Sequence, residues 1–272
     1  MSSYQLLALD LDGTLTNSNK EISQRNKEAL FEAQRNGMKI VLASGRPTFG
    51  IEFLARELEL QRYGGFIIAF NGSKIINCQT GEIIYQTDLP NHLIPKVYEM
   101  ANEHDVAILS YNDTHILTER NGDEYIKYEA YLNRAPLKQV KNLLEAIPPT
   151  IPKILIVGDV PKIESLEKKM YIELGSQINV FRSEPFFLEL VPKSVDKALS
   201  LERLGRYLGI TAREMIACGD GFNDLSMIKY AGLGVAMANA QDVVKQASDY
   251  ITLSNNEDGV AHVVEKFIIS KN

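Results

Sequence analysis

Short, wholly apolar runs recur along this chain, each closed by an acid, a serine or a glycine and followed by a stretch of helical periodicity. Leu6–Leu9 predicts a strand that ends at Asp10. Ser23 then supplies an N-cap for a helix through EALFEAQRN that stops at Gly37. KIVLAS predicts a second strand, and a helix begins near Pro47, a residue suited to a first helical position. GFIIAF is a third strand, ending at Asn71-Gly72. Strands without polar alternation, separated by helices, predict a parallel sheet covered on both faces.

Beyond Asn71 the texture changes. Residues 73–88 read as a hairpin around Gln79-Thr80-Gly81. NHLIPKVYEMANEHD predicts a helix, VAILSYND and HILTER two strands, and EYIKYEAYLNR a further helix. KILIVG, INVFRS and FFLELV are strands, and VPKIESLEKKMYIELG is a helix. Tyr125, Tyr128 and Tyr131 form a stripe that reads as a packed helix face rather than a binding surface. The alternating strand and helix pattern resumes with KALSLERLGRYLG, MIACGD, FNDLSMIKYAG, LGVAM, AQDVVKQAS and YITL, before a last helix. The simplest architecture is one α/β domain built from residues 1–84 and 190–272, with an α+β domain inserted at residues 85–189.

At 272 residues the chain is long enough for a second core. Hydrophobic content of 45% and charged content of 24% are those of an ordinary globular protein. Asp10 interrupts the only apolar run near the start, so neither a signal peptide nor a membrane span is expected. A net charge of -6 gives no reason to expect a nucleic-acid partner. Cys78 and Cys218 lack metal-site spacing, and the expectation is a reduced, cytoplasmic protein with no obligate protein partner.

The chemistry gathers at strand ends. Asp10 and Asp12 flank one residue, so their carboxylates can share one side of the chain. Gly13 permits a sharp turn, and Thr14 adds a hydroxyl. Two carboxylates so close imply a bound divalent cation, a division into acid and base, or both. Ser44-Gly45-Arg46 opens a helix, either as a simple cap or as a site for an oxyanion. Asp220, Asn223 and Asp224 crowd the end of MIAC. Asp224 could merely complement a helix N-terminus, but with Asp10, Asp12 and Asp220 it completes a set of hard oxygen ligands suited to Mg²⁺. Lys197 is either a surface lysine or the positive charge that such a site needs.

The order DLDGT, SGR, a lone lysine and GDGFND resembles the haloacid dehalogenase superfamily of phosphotransferases and phosphatases. The stretch between Thr14 and the first helix is too short for an insert, which falls instead between Ser44 and Lys197. That layout resembles the C2-capped, Cof-like sugar-phosphatase group, as do Asn71-Gly72, GVAMANA and NNEDGVA; Ala198 departs from the glycine common there. The resemblance implies a Rossmann-like parallel-sheet core with an inserted cap. It implies Asp10 as nucleophile and Asp12 as proton shuttle. Mg²⁺ would be held by the Asp10 carboxylate, the Asp12 main-chain carbonyl and Asp220, with Asp224 close by. Thr14, Ser44, Gly45, Lys197 and Asn223 would hold the phosphoryl group, with Arg46 and Asn71 near it. Arg46 would either meet the leaving group or tie the insert to the core, and the insert would cover the mouth and read that group. The expected activity is hydrolysis of small phosphorylated metabolites, sugar phosphates in particular, through an aspartyl phosphate. A phosphomutase on the same core and a phospho-aspartate receiver are the alternatives.

Overall fold

A computed structural model describes residues 4–269, so the first and last three residues of the expected core ranges lie outside the described residues. The chain divides into two compact units. One takes the chain up to Gly45, Ile51–Tyr85, and Asp196 onward; the other takes Arg46–Gly50 and Gln86–Val195.

Fourteen strands are described. They are β1 (Leu6–Leu9), β2 (Lys39–Ala43), β3 (Phe66–Ala69), β4 (Lys74–Asn77), β5 (Ile83–Gln86), β6 (Ala107–Tyr111) and β7 (Ile116–Thr118). Next come β8 (Leu137–Gln139), β9 (Ile154–Val157), β10 (Ile178–Glu184), β11 (Phe187–Pro192), β12 (Met215–Gly219), β13 (Leu233–Ala236) and β14 (Tyr250–Ile251). The helices are α1 (Gln24–Arg35), α2 (Thr48–Glu57), α3 (Leu60–Tyr63), α4 (Ile94–Glu103), α5 (Glu124–Asn133) and α6 (Leu143–Ala146). After them come α7 (Val160–Leu174), α8 (Lys197–Leu208), α9 (Leu225–Tyr230), α10 (Asp242–Ala247) and α11 (Gly259–Phe267).

The first sheet has the order β14-β13-β12-β1-β2-β3-β4-β5, parallel from β14 to β3, with β4 antiparallel to β3. β1 lies in its middle, paired with β12 and β2, and all four of its side chains are fully buried. Leu6 and Ala8 pack with Leu201 and Leu204 of α8 and Met227 of α9. Leu7 and Leu9 alternate onto the opposite face. Each such leucine contributes about 1.5–3 kcal/mol by leaving water, which makes the strand a rigid base for the turn at its C-terminal end. Ser23 caps α1 by accepting from Asn26 N.

The inserted unit carries a second sheet, β10-β11-β9-β6-β7-β8, antiparallel except between β7 and β8. Ile108, Ile154, Ile156, Leu188 and Leu190 form one core with Val97 and Met100 of α4 and with Ile163 and Leu166 of α7. The expected limit at residue 189 falls inside β11, which pairs with both β9 and β10 through Leu190. The architecture is thus a parallel-sheet α/β core with an inserted α+β unit. Among the described residues no helix is long and apolar enough to cross a membrane.

The tyrosine stripe on α5 differs from expectation. The buried face of that helix is Ile126, Glu129 and Asn133, one or two residues out of step with the tyrosines. Tyr125 stacks on Phe186 at 4.8 Å between centroids, Tyr128 meets Phe186 and Phe187, and Tyr131 is 66% exposed. Spacing alone does not tell which of two adjacent stripes a helix buries. Here the chosen stripe is polar: Glu129 accepts from the Tyr111 hydroxyl at 2.8 Å. Burial raises the Glu129 carboxyl above its usual range, partly offset by Lys153.

Candidate active site

The strand ends that lead to Asp10, Ser44, Asn71 and Asp220 all turn at the same, C-terminal edge of the parallel sheet, where ligands of open α/β sheets commonly bind. Asp10 follows β1, and its main-chain N–H donates to Cys218 O of β12, which fixes the two strand ends side by side. Carboxylate oxygens of Asp10, Asp220 and Asp224 lie within 4.8 Å of one another. Lys197 Nζ donates to Asp10 Oδ1 at 2.7 Å and to Asp224 Oδ1 at 2.6 Å. This lysine is 1% exposed, which excludes the reading of a surface residue.

Local structure explains how Lys197 arrives. Asp196 caps α8 by accepting from Ala198 N and Leu199 N, so Lys197 takes the first helical position. A glycine in the turn after β3 lets α8 approach. A Cβ on Gly72 would stand 2.7 Å from Ser200 Oγ and 2.8 Å from Asp196 O, and its φ is +115°. The close approach of α8 is thus made at Gly72, and Ala198 beside Lys197 is half-buried.

The electrostatics derive from burial. Asp10 is pushed well above the usual carboxylate range by burial, then by Asp224 and Asp220, against which Lys197 works. Asp220 is raised to about 6 by burial and by Asp224, with the Thr14 hydroxyl, 2.9 Å from its Oδ1, lowering it. For Lys197, burial would lower the value, but Asp10 and Asp224 outweigh it and the ammonium is held on. Three carboxylates facing one ammonium leave an excess of negative charge that a hard divalent cation would balance.

The residues fit such an ion. The donors are all oxygens, and the turn makes room for them: a Cβ on Gly13 would stand 2.3 Å from Asp220 Oδ2. Asp224 is already committed. Its Oδ1 holds Lys197, and its Oδ2 accepts from Asp220 N and Gly221 N, both at 3.0 Å. Those bonds orient Asp220, while the Asp224 carboxylate still stands with Asp10 and Asp220 in the cluster. Asp12 is not one of these three, its Oδ1 accepting from Lys20 Nζ at 2.9 Å, yet its charge still bears on Asp220.

The anion-holding candidates form a second cluster. Asn71 sits in a turn in which Phe70 and Asn71 both have positive φ, 53° and 57°. Such conformations are uncommon, and for a bulky phenylalanine the strain is real. The turn brings Asn71 against Gly45, where a Cβ would stand 3.0 Å from Asn71 Oδ1, and Asn223 Nδ2 donates to that same oxygen at 3.2 Å. Ser44 is buried, and its carbonyl accepts from Asn71 N. Arg46 groups with the inserted unit: its Nη1 donates to Gly50 O at 3.2 Å, and its charge bears on Glu129.

Three more residues hold the site: the sequence matches the runs that contain Asn239 and Asn255 without giving either a role, and it does not single out Lys20. Asn239 Nδ2 donates to Gly13 O, Asn255 N donates to Asn239 Oδ1, and Asn255 Nδ2 donates to Thr16 O. Lys20 is the third. GVAMANA and NNEDGVA thus act as clamps on the turn after β1.

A family model described as haloacid dehalogenase-like hydrolase matches residues 7–264. The fold is similar to that of a haloacid dehalogenase-like hydrolase from Bacteroides thetaiotaomicron, with a TM-score of 0.94 and 52% identity, covering 97% of this chain and 99% of that one. It is also similar to the HAD subclass IIB sugar phosphatase BT4131, with a TM-score of 0.84 and 26% identity over 97% and 98% of the two chains. The 5-amino-6-(5-phospho-D-ribitylamino)uracil phosphatase YcsE of Bacillus subtilis is 30% identical over 265 residues, spanning 97% of this chain and 96% of its own length.

Proposed function

This chain belongs to the haloacid dehalogenase-like hydrolase family and is a phosphatase, and on that premise we propose that it is a Mg²⁺-dependent enzyme that hydrolyses sugar phosphates and phosphorylated sugar alcohols through an aspartyl phosphate on Asp10. The observation that carries this reading is the pair of bonds from buried Lys197 to Asp10 and Asp224, beside the Asp10, Asp220 and Asp224 cluster.

In this reading Asp10 attacks phosphorus, and the bond to the leaving oxygen breaks as Asp12 gives that oxygen a proton. Asp12 then takes a proton from the water that attacks the phosphoryl group and frees Asp10. The Asp10 carboxylate, the Asp12 main-chain carbonyl and Asp220 would hold Mg²⁺, with Asp224 orienting Asp220. The ion, when bound, supplies positive charge against the phosphoryl oxygens. Lys197 works against the effect of burial on Asp10 and adds a second positive charge. Thr14, Ser44, the Gly45 N–H and Asn223 would hold the equatorial oxygens, with Asn71 setting the position of Asn223. The inserted domain, expected at residues 85–189, selects among leaving groups.

The substrate class rests on the two named relatives, whose own substrates carry phosphate on a sugar or a ribityl chain. The test is a panel of phosphorylated metabolites with phosphate release as readout, with and without Mg²⁺. Release from phosphorylated sugars or polyols, only with the ion, is expected. Isomer interconversion without release would make it a phosphomutase. A long-lived phospho-Asp10 with no turnover would make it a receiver.

A further inference from the structure

We infer that Lys20 is a positioning residue for Asp12, holding the carboxyl at the strand end so that it meets the leaving oxygen of the substrate. The inference rests on the role proposed above for Asp12. Lys197 serves Asp10 and Asp224, while Asp12 lies outside that buried cluster and is held by a different cation, Lys20 Nζ at 2.9 Å.

The loop that presents Lys20 is built to hold its shape. Asp12 bridges to Thr16, and the Thr16 hydroxyl and N–H both donate to Leu11 O. Asn17 N donates to Glu21 O and Lys20 N to Asn17 O, while Asn17 Oδ1 accepts from Asn19 N and Glu21 N. The far side is pinned as well: Asn255 Nδ2 donates to Thr16 O, Ser18 N to Asn256 Oδ1, and Asn256 Nδ2 to Ser18 Oγ.

At the end of this turn Lys20 has φ +61°, the left-handed region that favours glycine or asparagine. Either would relax the backbone and keep every main-chain bond just named. The ion pair would be lost, and its partly exposed side chains (29% and 36%) mean that it adds little stability. A strained lysine that contributes little to folding points to its side chain being used. It fixes one orientation of Asp12, which shortens the search for the geometry of proton donation.

The experiment compares kcat/KM for an alkyl phosphate, whose leaving oxygen needs a proton, with p-nitrophenyl phosphate, whose leaving group scarcely does. Lys20→Met should lower the alkyl value by roughly tenfold more than the aryl value. Lys20→Arg should restore most of the difference. Lys20→Gly, which relieves the backbone, should show the same selective loss as methionine. Equal losses on both substrates, or none, would overturn the inference. Asp12→Asn run in parallel separates the two readings. If it shows no selectivity, the role of Asp12 fails and takes the inference with it; if Asp12→Asn is selective and Lys20→Met is not, only the inference fails.

Discussion

Lys197 Nζ stands 2.7 Å from Asp10 Oδ1 across 187 residues of sequence, and both side chains are buried. The bond joins the first strand of the sheet to the helix that comes after the inserted domain. Because the same ammonium serves Asp224, its removal leaves two buried carboxylates facing each other and Asp220. Lys197→Met should therefore cost about 3–5 kcal/mol in urea unfolding of the metal-free protein and abolish phosphate release. An unchanged urea midpoint would show that the ammonium is not the group that balances these acids.

Asp220 gives a pH signature. Its carboxyl is raised from 3.8 to about 6 in the fold, by burial first and Asp224 second. Between those values the folded chain binds more protons at this site than the unfolded one. The contribution of Asp220 to stability is thus most favourable below about 4 and is lost as pH rises through 6. Asp220→Asn should stabilise the metal-free protein at pH 7.5 by about 2–3 kcal/mol, and the gain should vanish below pH 4. Urea unfolding across pH 4–8 measures it, and a pH-independent difference would contradict the assignment.

Metal removal acts on the same charges. EDTA treatment should stop turnover, and Mg²⁺ should restore it. In the wild type the ion should also raise the melting temperature, because it binds only where the carboxylates are assembled. Turnover undiminished by thorough chelation would remove the ion from the account.

Gly13 is the steric counterpart. A methyl there would press within 2.3 Å of Asp220 Oδ2, in a backbone conformation with φ +82°. Gly13→Ala should leave far-UV circular dichroism unchanged, while lowering phosphate release at least tenfold by roughly the logic of a misplaced ligand. It should also abolish the melting shift caused by Mg²⁺. A full Mg²⁺ shift in this variant would show that Asp220 is not constrained as described.

The features legible in the sequence are local. Leu6–Leu9 and Phe66–Ala69 are apolar throughout because both faces of the sheet are covered, and Ser23 announces its helix by its own side chain. β8 and α6 leave no such trace, because three exposed strand residues and a single helical turn carry no periodicity. In the site, Asp10, Asp220 and Lys197 stand in recognisable motifs. Asn239 and Asn255 fall in the runs GVAMANA and NNEDGVA, but their part in the site, like that of Lys20, emerges only when the turn after β1 meets loops more than two hundred residues away or folds back on itself. The reach of Arg46 toward Glu129 likewise depends on the register of α5, which the tyrosine stripe obscures.

The central claim is that Asp10 is the nucleophile. Rapid quenching of the Asp12→Asn protein with Mg²⁺ and substrate, followed by peptide mass mapping, tests it most directly. A phosphoryl group on the peptide that contains Asp10, absent from the Asp10→Asn protein, is the predicted result. Full turnover by Asp10→Asn, or a phosphoryl group on any other residue, would contradict it.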